Sequence, residues 1–167
     1  MTLDDLVAIH EISALKYRYL RTVDQKDWGG LVACLTEDAT ASFGGGAMEL
    51  GSRADIMTFM ESLLGRTTIL SCHRVSQPEI EVTGDDEATG TWALQDKIID
   101  LEHGFTISGA AYYTDRYRRV DGAWLIAHTG YKRMFEEIFP RASIDNLQVT
   151  AHWWDTDGRS MVGAAPT

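Results

Sequence analysis

The segment from Phe105 to Arg133 decides the fold. It reads FTISGAAYYTDRYRRVDGAWLIAHTGYKR, two stretches of alternating character that are separated by the pair Asp121-Gly122. Alternation with a period of two is typical of β-strands, and an Asp-Gly pair between two such stretches is a strong signal for a hairpin. Residues 105–120 and 123–133 are therefore predicted to form an antiparallel hairpin.

The same alternation extends upstream of this hairpin, back to about residue 68. Three further strands are predicted there, over residues 68–75, 79–82 and 88–99. The breaks between them are rich in turn-forming residues: Pro78, residues 84–86 and residues 102–104. Together with the hairpin, these segments predict a long antiparallel meander.

The residues before position 67 have helical periodicity instead. A first helix, ending near Asp24, is predicted by apolar side chains at spacings of three and four: Leu6, Ile9, Ile12, Leu15, Tyr19 and Val23. A short second helix is predicted around Leu31, ending near residues 36–38. A third is predicted between a capping serine, Ser52, and a terminating glycine, Gly65.

Helices followed by a meander indicate the fold class. Three consecutive glycines at residues 44–46 predict one more turn in the helical half of the chain. Because the helices come first and the strands follow, the expected fold is α+β, a curved antiparallel sheet packed on N-terminal helices. The chain is expected to form one domain over residues 1–154, with residues 155–167 as a frayed C-terminal tail.

Composition and charge narrow the class of partners. The 167 residues carry a formal net charge of −10, which disfavours binding to nucleic acid and to anionic membrane surfaces. No stretch is long and apolar enough for a membrane helix, and the acidic start of the chain is unlike a signal peptide. Two cysteines, Cys34 and Cys72, are more typical of buried thiols than of a disulfide. A cytoplasmic protein is expected.

Alternation places two titratable side chains on the apolar faces of their strands. Asp96 shares a face with Trp92 and Ile98, and His73 shares one with Val75. A buried carboxylate without a partner costs several kcal/mol, so Asp96 must be paired, protonated or exposed to a polar cavity. The two groups are either hydrogen-bonded structural side chains or a functional pair in one interior.

The first helix and the last strand contribute three more polar candidates. Tyr19 lies on the apolar stripe of the helix, and Asp24 lies at the helix end. Each has a structural alternative, as a core aromatic residue and as a solvated or capping residue, respectively. Arg133 is the last residue of the last predicted strand and is either a surface cation or a pocket residue.

Other chemistries lack their motifs. The sequence contains no GxGxxG, Walker A, CxxC, HExxH or GxSxG motif. Its five histidines show no metal-ligand spacing. Neither a metal nor a cofactor is expected.

Several short motifs resemble a known family. They are Asp27-Trp28, Pro78-Glu79-Ile80 after His73, Ala88-Thr89-Gly90-x-Trp92-x-Leu94-x-Asp96, Gly109-x-Ala111-x-Tyr113-Thr114-Asp115-x-Tyr117, Asp121-Gly122-x-Trp124 and Thr129-Gly130-Tyr131-x-Arg133-x-Phe135-Glu136-Glu137. In these motifs, over about residues 7–139, the sequence is similar to the SnoaL-like branch of the nuclear transport factor 2 superfamily. This branch includes dehydratases and dehydrochlorinases, and the similarity is greatest to its bile-acid dehydratases.

The resemblance implies a cone-shaped α+β barrel with a deep pocket and no cofactor. It implies catalytic roles for four residues: Tyr19, Asp24, His73 and Asp96. Contacts with substrate are expected from three more: Trp92, Tyr113 and Arg133. A homo-oligomer is also expected, with a trimer as the first expectation.

The activity expected from the resemblance is elimination of water from a hydrophobic, steroid-like or bile-acid-like hydroxy-ketone, which is either free or a coenzyme A thioester. His73 or Asp24 would be the base, Asp96 would hydrogen-bond the imidazole, and Tyr19 would donate to the substrate carbonyl oxygen. Two alternatives stay open. One is an isomerase or dehydrochlorinase that uses the same pocket, and the other is a non-catalytic ligand-binding module.

Overall fold

The computed structural model describes residues 1–160. Its helices are α1 (Leu3–Gln25), α2 (Trp28–Val32) and α3 (Arg53–Leu64). Its strands are β1 (Leu35–Phe43), β2 (Met48–Leu50), β3 (Ile69–Val82), β4 (Glu87–Asp100), β5 (Phe105–Val120) and β6 (Ala123–Pro140). Residues 161–167 of the predicted tail lie outside the described residues.

Helix α1 begins and ends where local chemistry predicts. The Thr2 hydroxyl accepts a hydrogen bond from the Asp5 backbone N–H, and the Asp5 carboxylate accepts one from the Thr2 N–H, which is a capping box. At the other end Lys26 adopts a left-handed conformation with φ of 54°, and its N–H bonds to the last turn. This end places Asp24 beside the sheet.

The six strands form one curved, mixed sheet in the order β2-β1-β6-β5-β4-β3. Strands β3 to β6 form the predicted antiparallel meander, and the hairpin at Asp121-Gly122 is confirmed. The expectation of a wholly antiparallel sheet is wrong at one position, because β1 pairs with β6 in parallel. Alternation predicts the face of the sheet on which a side chain lies. It does not predict whether the neighbouring strand runs parallel or antiparallel.

Two further parts of the prediction differ from the structure. The second helix ends at Val32, and Leu35 already begins β1 instead of closing that helix. The two strands predicted around Pro78 are one strand, β3, with a register shift between Ser76 and Glu79 that accommodates the proline. Since β3 is an edge strand, the missing N–H of the proline costs no ladder hydrogen bond.

The core lies between α1 and the concave face of the sheet. Helix α1 contributes a continuous buried stripe: Ala8, Ile12, Leu15, Tyr19 and Val23. Each fully buried aliphatic side chain stabilises the fold by roughly 1.5–3 kcal/mol. Helix α3 covers the wide end of this layer through Ile56, Met60 and Leu64. The space left between α3, α1 and the sheet becomes the candidate site.

Candidate active site

A cavity lies between the end of α1, helix α3 and the concave face of the sheet. Its lining is mainly apolar, with two ionisable clusters: Tyr19, Leu20, Val23, Phe43, Phe59, Met60, Leu63, Leu64, His73, Leu94, Asp96, Ile98, Tyr113, Tyr131 and Arg133. The cavity volume is about 70 Å³. That is well below the several hundred Å³ of most ligand pockets.

His73 and Asp24 form a hydrogen-bonded dyad in the wall of this cavity. His73 Nδ1 lies 2.7 Å from Asp24 Oδ1, and the His73 backbone N–H donates to Asp24 Oδ2 at 2.8 Å. Ser71 Oγ donates to Asp24 Oδ1 at 2.8 Å. With its Nδ1 proton directed at the carboxylate, a neutral imidazole keeps Nε2 as an unprotonated acceptor.

The protein environment keeps Asp24 ionised. Burial acts to raise the pKa of Asp24, but the hydrogen bonds and charge interaction from His73, together with the Ser71 hydroxyl, outweigh burial and hold this pKa below its ordinary value. A carboxylate bonded to Nδ1 fixes the imidazole tautomer and stabilises the imidazolium that forms when Nε2 takes a proton.

Asp96 binds Arg133 and not His73. His73 and Asp96 are direct cross-strand partners, as alternation predicts for two inward-facing residues. The expected hydrogen bond between them is absent from the bonds among residues 1–160, because both Asp96 oxygens accept from Arg133 at 2.7 and 2.8 Å. Arg133 Nε also lies 3.0 Å from Glu136 Oε2. The partner of His73 is thus Asp24, from helix α1.

A β-bulge aims Arg133 into the cavity. Ala110 pairs with Phe135, and Ala111 with Arg133, so Met134 is the extra residue. Gly109 lies opposite Asp96 in the next strand. A Cβ there would be 2.7 Å from the Phe135 carbonyl oxygen and 3.0 Å from Arg133 Nη1, so only glycine leaves room for the ion pair.

Three tyrosines line the cavity. Tyr19 is 1% exposed, and its hydroxyl has no hydrogen-bond partner among the described residues. Burial raises the pKa of Tyr19, Tyr113 and Tyr131, so all three hydroxyls keep their protons at neutral pH. A protonated phenol is a hydrogen-bond donor to an oxygen that gains negative charge.

A buried ion pair supports this layer of tyrosines. Lys16 Nζ lies 2.7 Å from Asp115 Oδ2, and both side chains are fully buried. The ammonium is 3.4 Å from the centroid of the Tyr113 ring. Tyr117 and Thr129 hydroxyls donate to the two Asp115 oxygens at 2.7 and 2.8 Å.

The structure places Trp92 in the core and not on the cavity. Its side chain is 0% exposed, and Nε1 donates to the Tyr117 hydroxyl at 2.9 Å. Trp92 is not among the residues that line the cavity, and its contact with substrate stays a prediction. Tyr113 and Arg133, the other two residues expected to contact substrate, both line the cavity.

Lys26 ties the end of α3 to the dyad region. Its ammonium donates to the carbonyl oxygens of Leu64 and Ile69 at 2.5 and 3.0 Å. The same ammonium lies 4.3 Å from the centroid of Trp154. Burial lowers the pKa of Lys26 to about 8, against a smaller opposing effect of Asp24. The side chains of α3 that line the cavity form its roof, and Leu64 is one of them. By binding the Leu64 carbonyl oxygen, Lys26 holds one edge of this roof.

Sequence reasoning missed Ser71, Tyr131 and Glu136. Ser71 and Tyr131 are each two residues from a predicted site residue on the same strand, so the alternation that identified His73 and Arg133 could have identified them too. Glu136 reaches Arg133 only because of the bulge, for which the sequence gives no signal.

The described part of the chain contains neither a cluster of metal-binding side chains nor a helix that could span a membrane. Among residues 1–160, no group of three or more His, Cys, Asp or Glu side chains could hold a metal ion. Over the same residues, no helix combines the length and the apolar character that a membrane span requires.

The curved sheet, helices α1 to α3 and a mainly apolar cavity with a His–Asp dyad are the features to compare with known proteins. Residues 4–130 match the model of the SnoaL-like domain. The match covers more than half of the chain, and the protein belongs to the SnoaL-like family, as the sequence motifs indicated.

Solved structures share this fold. A provisionally named scytalone dehydratase from Novosphingobium aromaticivorans is 19% identical over 82% of this chain and 91% of that chain, with a TM-score of 0.76. The hexachlorocyclohexane dehydrochlorinase LinA-type3 from Novosphingobium barchaimii is 21% identical over 88% and 99%, with a TM-score of 0.74. A Mycobacterium tuberculosis protein of unknown function is 26% identical over 78% and 73%, with a TM-score of 0.67.

Proposed function

We propose that the protein is a cofactor-free hydro-lyase that removes water from a neutral, hydrophobic hydroxy-ketone. The observation that carries this proposal is the dyad. His73 lines an apolar cavity, and its Nδ1 is held by Asp24 at 2.7 Å. This arrangement supplies a general base to a mainly apolar site, which suits proton abstraction next to a carbonyl group. The scytalone dehydratase and dehydrochlorinase names of two relatives favour an elimination.

In the proposed reaction, His73 Nε2 takes a proton from the carbon next to the conjugated carbonyl system. Asp24 stabilises the resulting imidazolium. The negative charge that develops on the carbonyl oxygen is met by a donor among the cavity tyrosines, Tyr19 or Tyr113. The carbon–oxygen bond to the leaving hydroxyl then breaks, the hydroxyl receives the proton from the imidazolium, and water departs. The base returns to its neutral form without any external oxidant or reductant.

The charges around the cavity favour a neutral substrate. Among the described lining residues the cationic side chain is Arg133, and two carboxylates already engage it, Asp96 and Glu136. A substrate carboxylate or phosphate inside the cavity would therefore meet no unpaired cation, and it would lie near an excess of negative charge. If the substrate carries a coenzyme A group, that group has to stay outside the cavity.

Substrate size requires movement of the cavity roof. A volume of about 70 Å³ holds no polycyclic molecule, so binding has to displace side chains of α3. Leu63 is 51% exposed although it lines the cavity, which makes it the roof residue with the least packing to lose. We propose that substrates enter past Leu63 and Phe59.

The test is turnover of a panel of hydroxy-ketones. The purified protein is incubated with 7- and 12-hydroxylated 3-keto-4-ene steroids, as free acids and as thioesters, and with neutral one- and two-ring hydroxy-ketones. Loss of one water is followed by mass spectrometry. Turnover of a neutral compound that falls at least ~100-fold in His73→Ala supports the proposal. Full activity in a folded His73→Ala variant contradicts it, and His10→Ala, an exposed histidine on α1, is the control.

Dehydrochlorination is the second candidate, because a single halogenated ring requires less displacement of the α3 side chains than a polycyclic substrate does. The same base would abstract the proton, and chloride would leave in place of hydroxide. Release of chloride from a chlorinated cyclohexane, with no water loss from any ketone in the panel, would select this reaction.

Self-association and location belong to the same proposal. Three apolar side chains near the end of β6, Met134, Phe135 and Ile138, are more than half exposed in the single chain. We propose that they contact other copies in a homo-oligomer, with a trimer as the first expectation, and that the protein is cytoplasmic. Light scattering of the purified protein measures the number of copies.

A further inference from the structure

Ser71 shares a carboxylate oxygen with the imidazole of the dyad. Ser71 and His73 are two residues apart on β3 and face the same side, towards the end of α1. Asp24 Oδ1 accepts both the Ser71 hydroxyl, at 2.8 Å, and His73 Nδ1, at 2.7 Å. Asp24 Oδ2 accepts the backbone N–H of His73 at 2.8 Å. One strand thus supplies three donors to a carboxylate that belongs to a helix.

The Ser71 hydroxyl is a third donor to a carboxylate that His73 also holds. The backbone and the ring of His73 already bind one Asp24 oxygen each, which fixes the distance between α1 and β3 at this point. The third donor competes with the imidazole for electron density on the same oxygen. A carboxylate oxygen that accepts an additional hydrogen bond is a weaker acceptor for the imidazole N–H, and it stabilises an imidazolium less.

We propose that Ser71 is a positioning residue of the dyad: its hydroxyl orients the Asp24 carboxylate and weakens the hold of Asp24 on the imidazolium, so that neutral His73 is available as a base at lower pH. This inference rests on the proposed function for its consequence in catalysis. It concerns a residue that never touches the substrate, since Ser71 acts through Asp24.

Other charged groups face the dyad, and a substitution at Ser71 changes none of them. Lys26 interacts with Asp24 from the end of α1. Its pKa of about 8 means that it titrates on the alkaline side of the pH profile. Arg21 and Arg74 border the groove on the outer side of the dyad. On the inner side, Asp96 is the cross-strand partner of His73, and its charge is matched by Arg133. A change on the acid side of the pH profile therefore reports the dyad.

The first test is the pH dependence of kcat/KM in wild type, Ser71→Ala and Ser71→Thr, with a substrate that the panel of hydroxy-ketones identifies. Without the hydroxyl, Asp24 holds the imidazolium more strongly, so the acid limb of the profile in Ser71→Ala should move to higher pH by about half a pH unit. Ser71→Thr restores a hydroxyl and should restore the limb. Ser76→Ala, an exposed position on the same strand, is the matched control.

The second test needs no substrate. In the ligand-free protein, ¹⁵N NMR of the His73 ring should show protonated Nδ1 and unprotonated Nε2 at alkaline pH, and Ser71→Ala should displace the ring titration in the same direction as the kinetic limb. A displaced titration in a protein without hydro-lyase activity would uphold the inference and reject the proposed function. An unmoved titration, or a loss of kcat/KM that is equal at every pH, would overturn the inference.

Discussion

Arg133 lies directly over Gly109, with its Nη1 3.0 Å from the place where a Cβ would be. The glycine permits an arginine from one strand to cross β5 and reach Asp96 on β4. The geometry of the ion pair therefore depends on the absence of a side chain at a third position.

Gly109→Ala should separate this pair. The added methyl group would also lie 2.7 Å from the Phe135 carbonyl oxygen, which is backbone and cannot rotate away. We expect a loss of about 2 kcal/mol in the free energy of unfolding, typical of overpacking, with a loss of activity. Urea denaturation measures it. Gly84→Ala, where a Cβ meets nothing within 4 Å, is the control, and equal stability of the two variants would contradict the prediction.

Asp96→Asn should cost more stability than Arg133→Met. The first change leaves the guanidinium in a largely buried site with Glu136 as its charged partner. The second change leaves the Asp96 carboxylate beside the partly buried His73 imidazole, and the imidazole can take up a proton to match the charge. We expect a loss of about 2–3 kcal/mol for Asp96→Asn, because the guanidinium loses two charge-assisted hydrogen bonds and keeps only the half-exposed Glu136 carboxylate as a charged partner. The double variant should recover part of it, and strictly additive losses would show that the two side chains do not interact.

Lys16→Met should destabilise the fold by about 3 kcal/mol, although methionine fits an apolar site. The variant leaves the Asp115 carboxylate fully buried, with only the Tyr117 and Thr129 hydroxyls as donors. Lys16→Met combined with Asp115→Asn removes both charges and should recover most of the loss. Thermal unfolding measures each variant, with exposed Lys97→Met as the control. A double variant that is less stable than the single one would contradict this account.

Asp24→Asn should change how stability depends on pH. The folded pKa of Asp24 is below the ordinary value of 3.8, so the unfolded chain binds more protons between the two values. Ionised Asp24 therefore stabilises the fold above about pH 4, and this contribution is lost as the pH falls through the folded pKa.

The free energy of unfolding should differ between wild type and Asp24→Asn by about 2 kcal/mol at pH 7, the scale of hydrogen bonds to a charged group. The difference should shrink as the pH falls from 5 to 3. Urea titrations at each pH test this, and a difference that is constant down to pH 3 would mean that Asp24 is not preferentially ionised in the folded state.

Much of the fold could be predicted because its signals are local. Alternation identified the strands of the meander and put His73 and Asp96 on one interior face, where they are cross-strand partners. A capping box and apolar spacing identified α1. The parallel pairing of β1 with β6 was not predicted, because it joins segments that lie far apart in the sequence, and no local pattern encodes which strands meet.

The candidate site shows the same division between local and distant information. The inward direction of Asp96 follows from its strand, but its choice of Arg133 over His73 depends on a bulge at Met134 and on the missing side chain at Gly109. Trp92 shares a face with Asp96, but Trp92 is four residues away along the strand, where its side chain lies in the core and not on the cavity. Alternation therefore predicts that a side chain faces the interior, but it does not predict whether that side chain lines the cavity.

The parallel ladder between β1 and β6 has a consequence for the order of events during synthesis. Strand β1 emerges from the ribosome roughly eighty residues before β6, and β6 is the neighbour that joins β1 and β2 to the other three strands. Until the last strand arrives, β1 and β2 form a two-stranded ribbon, which is marginal on its own. The pocket wall would thus close late, in a step that joins distant parts of the chain and is correspondingly slow.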